Sequence, residues 1–152
     1  MKKASLHIPY NVFNSINELN DEDAWLLKEA RAVTSQAYAP YSRFYVAAVA
    51  RMANGEIVSG TNQENASFPV GLCAERVLLS AVSSLYPGEA IDTIAVSYNN
   101  NRDASDHPVA PCGICRQSLA EFENRMKQPI RIILSGQNGE VFVLPGASLL
   151  LP

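Results

Sequence analysis

The sequence has neither the long apolar segments nor the excess of positive charge that would indicate a membrane or nucleic-acid-binding protein. It contains no run of about 18 apolar residues, so we expect no membrane span. Lysine and arginine number 12 against 15 acidic residues, and the net charge of −3 argues against a polynucleotide backbone as the main partner. Residues 1–13 include two lysines but no continuous apolar core, which is unlike a secretory signal peptide.

Cysteine and histidine are also scarce. The three cysteines are Cys73, Cys112 and Cys115, and the two histidines are His7 and His107. Three cysteines cannot all pair with one another, and two of them form a Cys-x-x-Cys sequence. Without an export signal, this pattern favours reduced thiolates on a metal in the cytoplasm over disulfides.

The rest of the composition is that of an ordinary globular protein. The chain has 152 residues, of which 47% are hydrophobic and 18% are charged. That length is enough for one hydrophobic core, so we expect a single domain over residues 1–152. Residues 1–19 show only partial alternation, and we interpret them as an N-terminal extension that forms an edge strand or a packed arm.

Periodicity and turn signals predict helices alternating with strands. The expected helices cover residues 20–38 and 73–85 and a segment that begins at 112. The five expected strands cover residues 44–52, 56–62, 91–97, 130–135 and 141–144. Asn54-Gly55 is a strong hairpin signal, and Asn138-Gly139 marks a second turn. This order implies an α/β domain with helices on both faces of one sheet.

The three cysteines and a nearby carboxylate have the composition of a catalytic zinc centre. Glu75 follows Cys73 by two residues, and no fourth cysteine exists. Structural zinc sites close their tetrahedron with four protein ligands, whereas catalytic sites keep one position for water. The alternative is a structural site with His107 as fourth ligand. That alternative is less favoured because it leaves Glu75, Arg76 and Gln117 without a role.

Cys-Ala-Glu at 73–75, followed by Pro-Cys-x-x-Cys at 111–115, resembles the signature of the zinc-dependent cytidine deaminases. The likeness extends to segments 37–44, 54–76, 111–117 and the terminal Leu-Leu-Pro at 150–152. It points to the small, three-cysteine members that act on free nucleosides. Such a protein is expected to form a three-layer α/β/α sandwich with a mixed five-stranded sheet. The resemblance also implies one Zn²⁺ per chain and a homotetramer with shared active sites.

The resemblance assigns a role to each residue of the candidate site. Glu75 is the catalytic proton shuttle, and Cys73, Cys112 and Cys115 are the metal ligands. Arg76 and Gln117 are expected to donate hydrogen bonds to the ligand sulfurs. Four residues resemble the family's substrate contacts: Phe44 against the pyrimidine, Asn62 and Glu64 at the ribose 3′-hydroxyl, and Ala74 at the base.

The expected reaction is deamination of cytidine and 2′-deoxycytidine to uridine and 2′-deoxyuridine in cytoplasmic pyrimidine salvage. A modified cytosine nucleoside, such as an aminoacyl-nucleoside antibiotic, is the alternative substrate. A zinc-stabilised binding module without turnover is the alternative from another class. The sequence departs from the family at Tyr45, which replaces a usual proline, and at Phe68, which replaces a common tyrosine. It also stops at Pro152, before a position where the family often has an aromatic residue.

Overall fold

A computed structural model of the chain describes residues 1–151, and Pro152 of the terminal Leu-Leu-Pro lies outside that range. The helices are α1 (Asp21–Val33), α2 (Ala74–Leu85) and α3 (Gly113–Met126). The strands are β1 (Asn11–Phe13), β2 (Phe44–Met52), β3 (Ile57–Thr61), β4 (Ile91–Asn100), β5 (Arg131–Ser135) and β6 (Val141–Leu144). None of the helices in residues 1–151 combines the length and apolar character needed to cross a membrane.

All the strands join one mixed sheet in the order β1-β6-β5-β4-β2-β3. The β4–β5 pair is parallel, and every other neighbouring pair is antiparallel. The predicted mixed sheet is confirmed, but the count of five strands is wrong, because the described residues form six. The additional strand is β1, an edge strand within the N-terminal extension, where the sequence suggested either an edge strand or a packed arm, and it pairs with β6 at Asn11–Val143 and Phe13–Val141. Three residues are too few to give a clear alternation, so pairing with β6 rather than local pattern stabilises this strand.

The predicted three-layer sandwich is confirmed by the way neighbouring strand residues alternate between two apolar clusters. On β2, Ala48 and Ala50 pack in the cluster that contains α2 and α3, whereas Val49 packs with α1. Side chains along a strand point alternately to opposite faces of a sheet. Helix α1 therefore covers one face, and α2 and α3 together cover the other. The buried residues of α2 and α3 on that face include Leu78, Val82, Leu119 and Phe122.

The predicted first helix was too long at its C-terminal end. Asn20 caps α1 as expected, since its side chain accepts a 2.9 Å hydrogen bond from Asp23 N. The helix ends at Val33 rather than near residue 38, and a one-turn 3-10 helix follows. Thr34 Oγ1 donates to Arg31 O at 2.7 Å, and Ala37 is already extended. Such local bonding of a threonine competes with continuation of the helix.

An ion pair between a buried carboxylate and a partly exposed arginine joins α1 to β5. Arg131 reaches both carboxylate oxygens of Asp23, at 2.7 and 3.1 Å, and the Asp23 side chain is 4% exposed. Burial alone would raise the pKa of Asp23. The hydrogen bond and charge of Arg131, with smaller contributions from the Asn20 hydrogen bond and the Arg51 charge, outweigh that effect and lower the pKa.

We expect Asp23→Ala to lower the free energy of unfolding by about 1–2 kcal/mol near neutral pH, because the guanidinium of Arg131 loses its carboxylate partner but, at 36% side-chain exposure, is still partly solvated. A lowered folded-state pKa means that the carboxylate stabilises the fold above its unfolded-state pKa, near 3.8. This stabilising contribution is lost as the pH falls from the unfolded-state pKa through the lower folded-state pKa. Urea unfolding of both proteins between pH 7 and pH 3 checks this, and a difference that does not shrink in acid would contradict it.

Helix α2 lies directly against β3 at Gly60. A Cβ at this position would overlap Leu78 N and lie 2.7 Å from Ala74 O, and both are backbone atoms of α2. A glycine here therefore lets α2 and the sheet approach closely.

Gly60→Ala is expected to push α2 outward and to cost about 1–3 kcal/mol of stability. Gly113→Ala is the matched control, because a Cβ there would have no heavy atom within 4 Å and its backbone is already helical. Thermal and urea unfolding compare the two variants. Equal stability of both would show that the α2–β3 approach can relax without cost.

Candidate active site

The three cysteines meet where α2 and α3 begin on the same face of the sheet. Cys73 is the N-cap residue of α2, Cys112 is the N-cap residue of α3, and Cys115 lies in the first turn of α3. Cys112 Sγ lies 3.7 Å from Cys73 Sγ and 3.4 Å from Cys115 Sγ. All three sulfurs lie within 4.8 Å of one another. The chain thus brings together two cysteine segments separated by about 40 residues of sequence.

The thiols of this cluster have unequal proton affinities. The neighbouring thiols, Cys115 first and then Cys112, lower the pKa of Cys73 to about 6, although burial and the nearby Glu75 charge oppose the shift. The proximity of the Cys73 thiol, together with burial, raises the pKa of Cys115. In the absence of metal, the cluster therefore favours a thiolate at Cys73.

Glu75 lies on the first turn of α2 beside this cluster. Glu75 is 4% exposed, and its Oε2 accepts a 3.4 Å hydrogen bond from Cys115 Sγ. Burial raises the pKa of its carboxyl group. A carboxyl group with increased proton affinity, held next to a potential metal site, suits proton transfer better than an exposed glutamate does.

A two-residue bridge brings the end of β3 next to Cys73. Gln63 and Leu72 exchange backbone hydrogen bonds of 2.9 Å in both directions. Asn62 therefore precedes one side of the bridge, and Cys73 follows the other. The Asn62 side chain accepts from Val46 N at 2.8 Å and donates to Phe44 O at 2.9 Å. This amide fixes the start of β2 relative to the cysteine loop.

Glu64 orders the turn before β2. Its Oε2 accepts from Tyr41 N at 2.9 Å and from Ser42 N at 3.3 Å. Burial works against ionisation, but the hydrogen bonds from Ser42 and Tyr41 and the charge of Arg102 lower the pKa of Glu64. The group is consequently a carboxylate at neutral pH, and its other oxygen, Oε1, receives neither of these backbone hydrogen bonds.

The remaining predicted substrate contacts lie at the starts of β2 and α2. Phe44 is half-buried and stacks on Tyr98, with ring centroids 4.8 Å apart and an interplanar angle of 17°. Ala74 is fully buried as the first residue of α2. The structure thus places Phe44 beside the Asn62 amide and Ala74 between Cys73 and Glu75.

Comparison with known proteins agrees with this arrangement. Residues 20–128 match the family model described as the cytidine and deoxycytidylate deaminase zinc-binding region. The chain belongs to this deaminase family. A cytidine deaminase of Mycoplasma genitalium is 39% identical over 103 residues, which cover 66% of this chain and 73% of that protein. A crystal structure of cytidine deaminase from Burkholderia pseudomallei superposes with a TM-score of 0.72 at 38% identity, covering 88% of this chain and 98% of that one.

The cysteine cluster fits the zinc ion of the deaminase family. Zinc bound to thiolates at about 2.3 Å in a tetrahedron separates the sulfurs by roughly 3.8 Å, close to the 3.4 and 3.7 Å found here. The three thiols are the only metal-binding group found among the described residues, so they provide an open, three-ligand site. His107, the alternative fourth ligand, instead lies 3.1 Å from Asp106 Oδ1.

Arg76 and Gln117 stand close in sequence to the predicted zinc ligands, but within residues 1–151 neither side chain forms a hydrogen bond to a sulfur. Arg76 acts on Cys73 through its charge, which adds a smaller decrease in pKa to that from the neighbouring thiols. Gln117 is exposed on α3. Their expected roles at the sulfurs therefore remain predictions.

Arg116, which no sequence motif singled out, fixes the segment before Cys112. Its Nε donates to Pro111 O at 2.8 Å, and its Nη1 donates to Leu150 O at 3.2 Å. The guanidinium thereby links the cysteine loop of α3 to the C-terminal turn. Its position directly after Cys115 was the available signal, but the partner at residue 150 is 34 residues away and could not be seen from spacing.

Proposed function

We propose that this protein hydrolyses cytidine and 2′-deoxycytidine to uridine and 2′-deoxyuridine, with release of ammonia, in pyrimidine salvage. The observation that carries the proposal is the buried Glu75 carboxyl group at 3.4 Å from a member of the three-thiol cluster. Residues 1–152 act as one catalytic domain, with 1–19 as an extension. The free cysteines support a cytoplasmic location.

In this proposal Cys73, Cys112 and Cys115 hold the zinc ion, and Glu75 transfers protons. When bound, zinc lowers the pKa of a water molecule toward neutrality and supplies a nucleophile. Glu75 would accept a proton from the attacking water and pass it to N3 of the cytosine ring as the water oxygen bonds to C4. It then delivers the second proton to the amino nitrogen, the C4–N bond breaks, and ammonia leaves. Burial of Glu75 supports this role, because an increased pKa allows the carboxyl group to accept a proton and release it again.

The hydrogen bonds that Asn62 and Glu64 already make leave one polar group on each side chain that can bind the ribose. Asn62 Nδ2 uses one of its two hydrogens on Phe44 O, and the second can bind a 3′-hydroxyl. Glu64 Oε2 accepts both backbone hydrogen bonds, which leaves Oε1 for the same hydroxyl. Phe44 provides an aromatic surface for the pyrimidine, and the Ala74 backbone contacts the base. A carboxylate at this place repels phosphate and favours nucleosides over nucleotides.

We also propose a homotetramer whose subunits share active sites. The segment that leads to Cys73 supports this, because it exposes three apolar side chains in five residues: Phe68, Val70 and Leu72. Phe68 is 91% exposed, and exposure of an aromatic ring to water is unfavourable unless another surface covers it. Light scattering of the purified protein at several concentrations measures the assembly.

The experiment that tests the function is ammonia release from cytidine and deoxycytidine, with zinc content measured on the same sample. The proposal requires turnover of both nucleosides with about one zinc per chain, and far weaker use of cytidine 5′-monophosphate. Zinc-loaded protein that turns over only a modified cytosine nucleoside would favour the alternative substrate. Zinc-loaded protein with no turnover on any cytosine nucleoside would contradict the enzymatic function.

A further inference from the structure

Tyr98 and Phe44 form an aromatic pair across the junction of β4 and β2. In the antiparallel register Tyr98 lies opposite Val46, and Phe44 lies opposite Asn100. Phe44 and Tyr98 are therefore diagonal neighbours on one face of the sheet, a separation that aromatic side chains can bridge. Their ring centroids are 4.8 Å apart and the interplanar angle is 17°, so the Tyr98 ring covers one face of the Phe44 ring.

Burial and a hydrogen bond of its hydroxyl group fix the Tyr98 side chain. It is 4% exposed, and its hydroxyl donates a 3.0 Å hydrogen bond to His107 O. Burial raises the pKa of Tyr98, which keeps this hydroxyl protonated as a donor. The main-chain carbonyl of Tyr98 accepts from Gln137 Nε2 at 3.2 Å. The ring plane on which Phe44 rests is consequently defined by the fold rather than by Phe44.

The segment that carries the His107 carbonyl is itself anchored. Ser105 Oγ accepts from Asn100 N at 2.8 Å, and Ser105 O accepts from Asn138 N at 3.2 Å. At Gly139, no Cβ would fit beside the Asp106 backbone. This segment continues to Cys112, so the Tyr98 hydroxyl ties the aromatic pair to the loop that precedes two zinc ligands.

We propose that Tyr98 is a positioning residue for base recognition, which sets the orientation of the Phe44 ring against which the pyrimidine packs. The inference rests on the proposed function and deepens it. Tyr98 covers one face of the Phe44 ring and Phe44 is only half-buried, so the proposal assigns the other ring face to the planar base. A phenylalanine without this support could rotate about its side-chain bonds, and the bound base would have to bear the entropic cost of ordering it.

The test measures kcat and KM for cytidine, and the dissociation constant of uridine by calorimetry, in Tyr98→Leu and Tyr98→Phe. Tyr98→Leu removes the ring, and we expect KM and the uridine dissociation constant to rise roughly fivefold to tenfold, with kcat and zinc content little changed. Tyr98→Phe keeps the stacked ring and loses one hydrogen bond, so its constants should lie close to those of the wild type. Tyr98→Met replaces the leucine variant if the latter does not fold.

The matched control is Tyr10→Leu, which removes a second tyrosine–phenylalanine contact. The ring centroids of Tyr10 and Phe142 are 5.0 Å apart, with an interplanar angle of 45°, and the pair lies toward the opposite edge of the sheet from β2. This variant should leave KM and uridine binding unchanged. An active wild type whose KM is unaltered by loss of the Tyr98 ring, or altered equally in Tyr10→Leu, would overturn the inference alone. A wild type that neither binds nor deaminates cytosine nucleosides would overturn the proposed function and the inference with it.

Discussion

Glu75→Gln is expected to lower kcat for cytidine by about 10²–10⁴-fold while the protein keeps its fold and its zinc. Glutamine has nearly the same shape as glutamate, but its amide can neither take the proton of the attacking water nor pass one to the departing nitrogen. The three sulfurs are provided by the α2 and α3 termini and do not need the carboxylate for their position. Steady-state kinetics combined with metal analysis separates loss of chemistry from loss of zinc.

The control for this prediction is Glu89→Gln, an exposed glutamate in the turn after α2. It changes the net charge by the same amount without touching the cluster, and kcat should stay at the wild-type value. Glu75→Ala should lose at least as much activity as Glu75→Gln. Activity near the wild-type level in either Glu75 variant, at full zinc content, would show that another group transfers the protons.

Much of the sheet could be predicted because its signals are local. The Asn54-Gly55 turn and the apolar residues beside it define the β2–β3 hairpin, and the structure has Gly55 at a φ of 89°. The Asn138-Gly139 turn defines the β5–β6 hairpin in the same way, and Gly139 has a φ of 77°. Both turns require left-handed backbone, which a sequence signals directly through glycine. The cysteine cluster was predictable for a similar reason, since its residue types and spacing are themselves the signature.

The features that could not be predicted depend on partners distant in sequence. For residues 1–19 the sequence suggested an edge strand or a packed arm, but it could not show that Asn11–Phe13 pair with the edge of β6, about 130 residues later. Tyr98 supports Phe44 only through the β2–β4 register, and its hydroxyl partner His107 is fixed by contacts near Asn138. None of these pairs has a local pattern. Where sequence analysis gave Phe44 a role by resemblance, it could not show what holds its ring in place.

Removal of zinc is expected to abolish deamination well before it unfolds the protein. Cys73 and Cys112 cap α2 and α3, but neither side chain accepts a capping hydrogen bond, so the thiols contribute little to these helix ends. The helices are held by other contacts. Leu78 and Leu119 are fully buried against the sheet. The buried Glu123 accepts hydrogen bonds from Ile130 N and Ala147 N at 2.7 Å each, which fixes α3 independently of the metal.

A chelator titration followed by activity, circular dichroism and thermal unfolding checks this prediction. Turnover should fall to background at a chelator concentration that leaves helical content unchanged, and added Zn²⁺ should restore it. A structural zinc domain behaves differently, because its binding energy is folding energy and chelation unfolds it outright. Loss of helical signal in step with loss of zinc would therefore favour a zinc-stabilised binding module. Cys73→Ala provides the genetic counterpart, since it removes one ligand while leaving α2 packed on β3 at Gly60, and it should reproduce the folded, inactive state.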